Sequence, residues 1–368
     1  MAKYVDTLDV QLSMHPRVKD LIKSKLYPSS DEEGVYKLSP AHLPVAFRYQ
    51  CRGYYLIVKL SHQFMVGIET SDELQEKVIQ LVTNFFNIST DDIVKYKVVK
   101  TPTSKLRVKC NSGKEITKIL GGKTIHKGLV EINRIEYCNN IKMLNPEVES
   151  LAVADIFRIA PESFNGAIKG LYIYPNRVNC TYATDSNTHV AVTCYFKEYE
   201  RLEAEDLEGA EKYKSLLRSE IKVKNAHIDY KRKDRDKTLA NYFNEEVAQE
   251  YFDKYLVPIF FTEDFYRLDV AIDMIQNSVD LKRPDGKLAT QLDKDKTCKF
   301  ITEISQFGIT AVKKKHDADT FKKYLGIVRS LNINPICYSP VIDGQAITVE
   351  KIKNFTLFEN GIDIDADI

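Results

Sequence analysis

A tyrosine and a lysine two residues apart are the first candidates for chemistry, in the segment THVAVTCYFKEYE at residues 188–200. The first half of this segment alternates like a half-buried β-strand and places Tyr195 on the less apolar face. A tyrosine hydroxyl, with a reference pKa of about 10, attacks poorly at neutral pH unless a neighbouring cation favours the phenolate. Lys197 can provide that cation. The spacing therefore predicts a nucleophilic tyrosine at residue 195.

Other interpretations of this segment stay open at the level of sequence. Tyr199 has the parity of Tyr195 if the strand continues, and Tyr182 lies earlier in the same region, so both compete for the role of nucleophile. The chain has 21 tyrosines, and a tyrosine on a strand usually serves packing. An edge strand with one solvated face would show the same pattern.

Three glutamates fall within or at the end of predicted strands, where an acid is costly unless it is paired or bound to a metal. They are Glu136 in NRIEYCNN, Glu200 at the end of the segment above, and Glu220 in LLRSEIKVKN. Carboxylates from separate strands can converge on one divalent cation. The alternative is a surface ladder of ion pairs, in which Glu220 would pair with Lys222.

The net charge of +1 conceals two strongly basic stretches. Residues 95–127 carry ten Lys or Arg and one acid, and residues 212–237 carry ten and four. Segregated charge favours binding to a polyanion such as DNA, although each stretch alone could be a solvated face. Basic residues alternate along KLRVKC and the preceding strand, which predicts a basic two-stranded ribbon that follows phosphates. The candidate phosphate contacts are Lys95, Lys97, Lys105, Arg107, Lys109, Arg134, Arg218, Lys222 and Lys224.

The elements that must position these side chains change character along the chain. Residues 1–237 are predicted to form an α+β domain, an antiparallel sheet with helices on one face. Its helices are SDELQEKVIQLVTNFFNI, with a cap at Ser71 or Asp72, and NPEVESLAVADIFRI. After the charged run KRKDRDKT, the spacing predicts a smaller helical domain over residues 238–368, including TVEKIKNFTLFENG.

Composition disfavours several classes of protein. The seven cysteines form no CxxC pair, which predicts reduced, mostly buried thiols rather than disulfides or a zinc finger. The N-terminus lacks the apolar core of a signal peptide, and no apolar run approaches the ~20 residues of a membrane span. Phosphate-loop and dinucleotide-binding glycine motifs do not occur. We therefore expect a cytoplasmic protein without nucleotide-driven chemistry.

An ordered set of motifs resembles a known family. R-I-E ends at Glu136, Y-x-K-x-x-E runs from Tyr195 to Glu200, L-R-x-E-x-x-x-K contains Glu220, and GIDI lies near the C-terminus. This order is similar to that of the gene-II type replication initiators of filamentous phages and small plasmids. The run from Thr181 to Glu200 also resembles rolling-circle initiators of Gram-positive plasmids and relaxases of conjugative elements.

The resemblance implies a rolling-circle initiator with an HUH-endonuclease-like domain, which nicks and rejoins one DNA strand through a phosphotyrosine. It implies Mg²⁺ or Mn²⁺ as cofactor. Its partners would be a replication origin, single-stranded at the nick, together with a host helicase and polymerase in the bacterial cytoplasm, and no membrane. The implied catalytic residues are Tyr195, Lys197 and Tyr199, and the implied metal ligands are Glu136, Glu200, Glu220 and His189.

Two positions depart from the family pattern. Val190 and Ala191 follow His189 where many rolling-circle nucleases have a second histidine, and Glu136 stands where aspartate is common. An acid-rich metal site is therefore expected rather than a two-histidine site. The alternative function is that of a non-catalytic protein that binds the origin of a phage or plasmid without cutting it.

Overall fold

The computed structural model describes residues 4–40, 43–93, 96–100, 106–110, 124–126, 130–143, 146–160, 172–173, 180–183, 189–231 and 235–355. The described strands are β1 (Val5–Ser13), β2 (Tyr27–Pro28), β3 (Val35–Leu38), β4 (Val45–Gln50), β5 (Tyr55–Ser61), β6 (Tyr96–Lys100), β7 (Leu106–Cys110), β8 (Thr124–His126), β9 (Val130–Lys142), β10 (Tyr172–Ile173), β11 (Cys180–Ala183), β12 (Val190–Phe196), β13 (Leu216–Val223), β14 (Phe265–Tyr266), β15 (Val341–Ile342), β16 (Gln345–Ala346) and β17 (Lys351–Ile352). The described helices are α1 (Lys19–Ser24), α2 (His62–Met65), α3 (Ser71–Phe86), α4 (Pro146–Ile159), α5 (Lys197–Glu203), α6 (Leu207–Lys212), α7 (Asn225–Lys231), α8 (Leu239–Tyr242), α9 (Glu245–Tyr255), α10 (Val257–Phe260), α11 (Leu268–Asn277), α12 (Gln291–Phe307), α13 (Ile309–Lys315) and α14 (Ala318–Arg329). An α+β fold with a large antiparallel sheet is confirmed.

The chain forms two compact units, each made of three stretches of sequence. The first contains residues 1–137, 188–190 and 222–248, and the second contains the rest. The predicted division near residue 238, into an α+β domain and a smaller helical domain, stays a prediction. Among the helices described, none combines the length and apolar character that a membrane crossing requires.

The first unit is built on an antiparallel sheet. Strand β1 lies between β9 and β5, and β4, β3 and β2 follow β5 in that order. Strand β4, VAFRYQ, alternates between buried and half-buried residues, as one core-facing side requires. The predicted helix over residues 71–88 is α3, and Leu74, Val78, Val82 and Phe86 are its buried residues.

The N-cap of α3 was predicted at Ser71 or Asp72, and the structure corrects this to Thr70. Thr70 still has extended backbone angles, and its hydroxyl accepts a 3.1 Å hydrogen bond from the Glu73 amide. A cap must precede the first helical residue, and both predicted residues already lie inside the helix.

In the second unit, strands β10, β11, β12 and β13 are neighbours in that order. Strand β12 runs antiparallel to β11, with Tyr195 opposite Thr181. The predicted helix over residues 145–159 is confirmed as α4, and the Arg158 guanidinium joins it to α12 by a 2.8 Å hydrogen bond to the Ser305 carbonyl. Most of the predicted later helices are also present, in α9, α11, α12 and α14.

The helix predicted for TVEKIKNFTLFENG is wrong where the structure describes it. Lys351–Ile352 is instead a short strand, with Ile352 opposite Phe265 in β14. The side-chain amide of Asn354 then donates to the carbonyl of Glu263 at 2.7 Å. These long-range contacts override the helical spacing of the segment.

Candidate active site

Strand β12 carries Tyr195 and ends at the next residue. Its burial pattern alternates from Val190 to Cys194, as predicted for a half-buried strand. The strand does not continue to Tyr199, because helix α5 begins at Lys197. The sequence KEYERLE is rich in residues of good helix propensity, and Lys197 pairs with Glu200 one turn later. The idea that Tyr199 shares the strand face of Tyr195 is therefore wrong.

The hydroxyl of Tyr195 lies between a carboxylate and an ammonium group. It donates a 2.6 Å hydrogen bond to Oε1 of Glu220, on the neighbouring strand β13. The ammonium of Lys197 donates to the same hydroxyl at 3.3 Å. All three residues are buried, with exposed fractions of 9% for Tyr195, 7% for Glu220 and 2% for Lys197. The structure thus brings together a predicted nucleophile, a predicted cation and one predicted metal ligand.

Arg218 supports Glu220 from the interior. One guanidinium nitrogen of Arg218 lies 3.9 Å from Oε1 of Glu220, and its Nε donates a 2.7 Å hydrogen bond to Oδ1 of Asn140. Asn140 is buried on β9, and a charged group so enclosed needs such partners. Arg218 was predicted to bind DNA, yet its side chain is 5% exposed and its described partners are internal.

Glu200 connects this group to the surface. It forms an ion pair with the ammonium of Lys197, and its side chain is 48% exposed. We call the connected residues the Tyr195 cluster: Asn140, Tyr195, Lys197, Glu200, Arg218 and Glu220. Asn140 was not predicted, although two consecutive asparagines within a strand were a visible sign of buried polar contacts.

Glu136 belongs to another network, in the first unit. Its Oε1 lies 3.0 Å from the ammonium of Lys222 and 3.4 Å from the guanidinium of Arg134. Arg134 also pairs with Asp9 on β1, with its Nε 3.1 Å from Oδ2. Burial raises the pKa of the Asp9 carboxyl, and the charge of Arg134 opposes that rise. We call these four residues the Asp9 network; Asp9 itself was not predicted.

The remaining predicted residues lie elsewhere. His189 is exposed, its ring is 6.1 Å from that of His227, and its carbonyl accepts a 2.9 Å hydrogen bond from the Lys224 amide. Tyr199 is half-buried, with its ring edge against Phe196.

The predicted metal site stays a prediction. Within the described ranges, no three His, Cys, Asp or Glu side chains are grouped so that they could hold a metal ion. Glu136 and Glu220 each have cations close to their carboxylates. The donors in this arrangement do not fit the predicted site, so no chemical step below is assigned to a metal.

In the predicted basic ribbon, β6 and β7 pair antiparallel, with β8 on the other side of β6. Its register places Lys97 opposite Lys109 and Val99 opposite Arg107. Lys95 and Lys105 lie outside the described residues, as does the terminal GIDI. The antiparallel pairing of the two strands is confirmed, and their role in DNA binding stays a prediction.

No protein-family model and no curated protein matches this sequence. The chemistry of the site must therefore be argued from the Tyr195 cluster itself. A phenol that donates to a carboxylate and accepts from an ammonium can lose its proton to the first and have its charge stabilised by the second. That arrangement suits a nucleophile.

Proposed function

We propose that this protein nicks and rejoins one strand of DNA through a covalent bond between Tyr195 and a 5′ phosphate, as rolling-circle replication initiators do. The observation that carries the proposal is the 2.6 Å hydrogen bond from the Tyr195 hydroxyl to Glu220. A tyrosine that only fills the core needs neither a buried carboxylate nor a buried ammonium at its hydroxyl. On this proposal, the antiparallel sheet is an HUH-endonuclease-like scaffold.

The chemical step uses residues of the cluster alone. Glu220 accepts the phenolic proton as Oη of Tyr195 attacks the phosphorus. The Oη–P bond forms while the P–O3′ bond breaks, and the 3′ oxygen takes a proton from water to leave a free 3′-OH. Lys197 stabilises the negative charge of the phenolate and of the attacked phosphate. Because phosphotyrosine retains the ester bond, the 3′-OH can later reverse the reaction without ATP.

Glu200 marks the side of the cluster from which a phosphate can enter. Its carboxylate is half-exposed and neutralises Lys197, whose own side chain is 3% exposed. A phosphate carries the same charge as this carboxylate and can replace it beside the ammonium. Binding of DNA would thus exchange one ion pair for another instead of burying an additional charge.

The test is a covalent-adduct assay with a random pool of short single-stranded oligonucleotides. A label at the 3′ end should become attached to the protein and survive denaturing electrophoresis, whereas a label at the 5′ end should not. Tyr195→Phe should abolish the adduct and Tyr199→Phe should retain it. An adduct formed equally well by Tyr195→Phe would overturn the assignment. Parallel reactions with Mn²⁺, Mg²⁺ or EDTA test the expected cofactor.

The same assay separates the proposal from its rival. A protein that only binds DNA would retard the oligonucleotides in a native gel but leave no label on the denatured chain. That result with wild-type protein, in the presence of either cation, would favour origin binding without cleavage.

A further inference from the structure

Helices α12, α13 and α14 present a set of exposed lysines that the proposed reaction does not use. We call these five lysines the α12–α14 lysine surface: Lys296, Lys299, Lys313, Lys314 and Lys322. None of the five makes an ion pair or hydrogen bond with the residues that the structure describes. None belongs to the two basic stretches recognised in the sequence.

Two of the four acids on these helices, Asp293 and Glu303, are engaged elsewhere. Asp293 and Glu303 are almost buried, with side chains 8% and 11% exposed. Asp293 pairs with Lys323 at 2.6 Å, and Glu303 pairs with Lys315 at 2.9 Å. Lys323 and Lys315 thus neutralise Asp293 and Glu303, and neither lysine belongs to the surface.

The other two acids, Asp295 and Asp319, are exposed, and Asp295 accepts hydrogen bonds from Gln276 and Gln291. The five lysines outnumber these two exposed acids, so the surface keeps a net positive charge.

An ion pair holds the last turn of α13 against the stripe of α12 that carries Lys296 and Lys299. Lys296, Lys299 and Glu303 are spaced i, i+3 and i+7, which places them on one stripe of α12. The ion pair between Glu303 and Lys315 brings the last turn of α13 to that stripe. Lys313 and Lys314 belong to the same turn.

A core contact fixes α14 beside them. The ring of Phe300, on α12, packs against Phe321 and Tyr324 of α14, with centroids 5.3 Å and 5.7 Å away. Lys322 is exposed next to Phe321 in sequence. The positive charges are therefore carried by a packed three-helix assembly and not by separate mobile segments.

We propose that the α12–α14 lysine surface binds the phosphate backbone of double-stranded DNA without reading its sequence. Ammonium groups on flexible stems are point charges that suit a row of phosphates better than one shaped ligand. An anionic membrane would require a continuous apolar face, and the large exposed apolar residues of α12 are single side chains at its two ends, Leu292 and Phe307. The choice of DNA rests on the proposed function.

The experiment measures how affinity for a labelled duplex of random sequence depends on salt. Two double variants, Lys296→Gln with Lys299→Gln and Lys313→Gln with Lys314→Gln, are compared with a control, Lys254→Gln with Lys351→Gln. The control removes two exposed lysines elsewhere in the same unit. Each phosphate contact contributes about 0.9 to the slope of log affinity against log salt, so each test variant should flatten the slope by about one to two units.

Test variants whose slopes match the control would overturn the inference, as would wild-type protein that binds phosphatidylserine vesicles but not the duplex. Adduct formation on the short single strands should stay near the wild-type rate in all three variants. If wild type forms no adduct but the lysine variants still lose duplex affinity, the nicking proposal fails and the lysine surface stands.

Discussion

The phenolic oxygen of Tyr195 lies 2.6 Å from a carboxylate oxygen of Glu220, and both side chains are buried on adjacent strands. Glu220→Gln should keep an acceptor for this hydrogen bond but lose the ability to take the proton. The adduct should therefore form about 100-fold more slowly or worse, as measured by single-turnover kinetics.

The matched control for this change is Glu263→Gln. Glu263 is another buried glutamate of the second unit, paired with Arg329 at 2.6 Å. Its substitution should leave the rate of adduct formation unchanged. Equal losses in both variants would indicate general destabilisation and not a lost proton acceptor.

Glu200→Gln distinguishes two roles for the exposed acid of the cluster. If Glu200 holds Lys197 until a phosphate replaces it, the variant should bind single-stranded DNA more tightly by a few-fold and still form the adduct. If Glu200 is a metal ligand, the adduct should be lost and Mn²⁺ should bind more weakly in calorimetry. We expect the first outcome, because in the structure its carboxylate pairs with Lys197. Glu198→Gln, on the same helix, is the control.

The Asp9 network should show coupling between Glu136 and Lys222, which lie 3.0 Å apart. Lys222→Met removes one cation from a carboxylate that is only 8% exposed. We expect a loss of about 1–3 kcal/mol in the free energy of unfolding, measured in urea. Glu136→Gln in the same chain should cancel part of that loss. Strict additivity of the two changes would contradict the ion pair.

Acid should weaken the ion pair between Asp293 and Lys323. The hydrogen bond from Lys323 lowers the pKa of Asp293 from 3.8 to about 2. A carboxyl with a lowered pKa in the folded state stabilises the protein above pH 3.8, and that stability is lost as the pH falls towards 2. The free energy of unfolding, measured in urea between pH 3.8 and 2, should fall more steeply with decreasing pH for wild type than for Lys323→Met. Lys322→Met, which removes an exposed neighbour, should follow wild type.

The sequence pattern predicted which strands carry the candidate catalytic residues better than it predicted which side chains those residues contact. Alternation of apolar residues placed Tyr195 and Glu220 on strands, because one buried face imposes a period of two. It could not show that the hydroxyl of one meets the carboxylate of the other, since strand order depends on contacts far apart in sequence. Asp9 and Asn140 were missed for the same reason: their partners Arg134 and Arg218 are 125 and 78 residues away.

Ends of elements were the least predictable feature. The sequence left open that the strand through Tyr195 continues to Tyr199, although the residues of KEYERLE also favour a helix. The segment before Phe355 has helical spacing but becomes an edge strand through contacts with β14. In both cases the sequence fits a strand period as well as a helical period, and tertiary packing selects one of the two.

Strand β12 and helix α5 meet at Phe196 and Lys197 without an intervening loop. A loop can accommodate an inserted residue without moving the elements on either side. At a direct junction, an insertion rotates and shifts the helix that follows. One residue added after Phe196 would turn the helix by about 100° and carry the ammonium away from the Tyr195 hydroxyl. One added at Ala204, beyond the end of α5, would leave that pair in register. Evolution of this lineage should therefore accept changes of length after the helix and reject them before it.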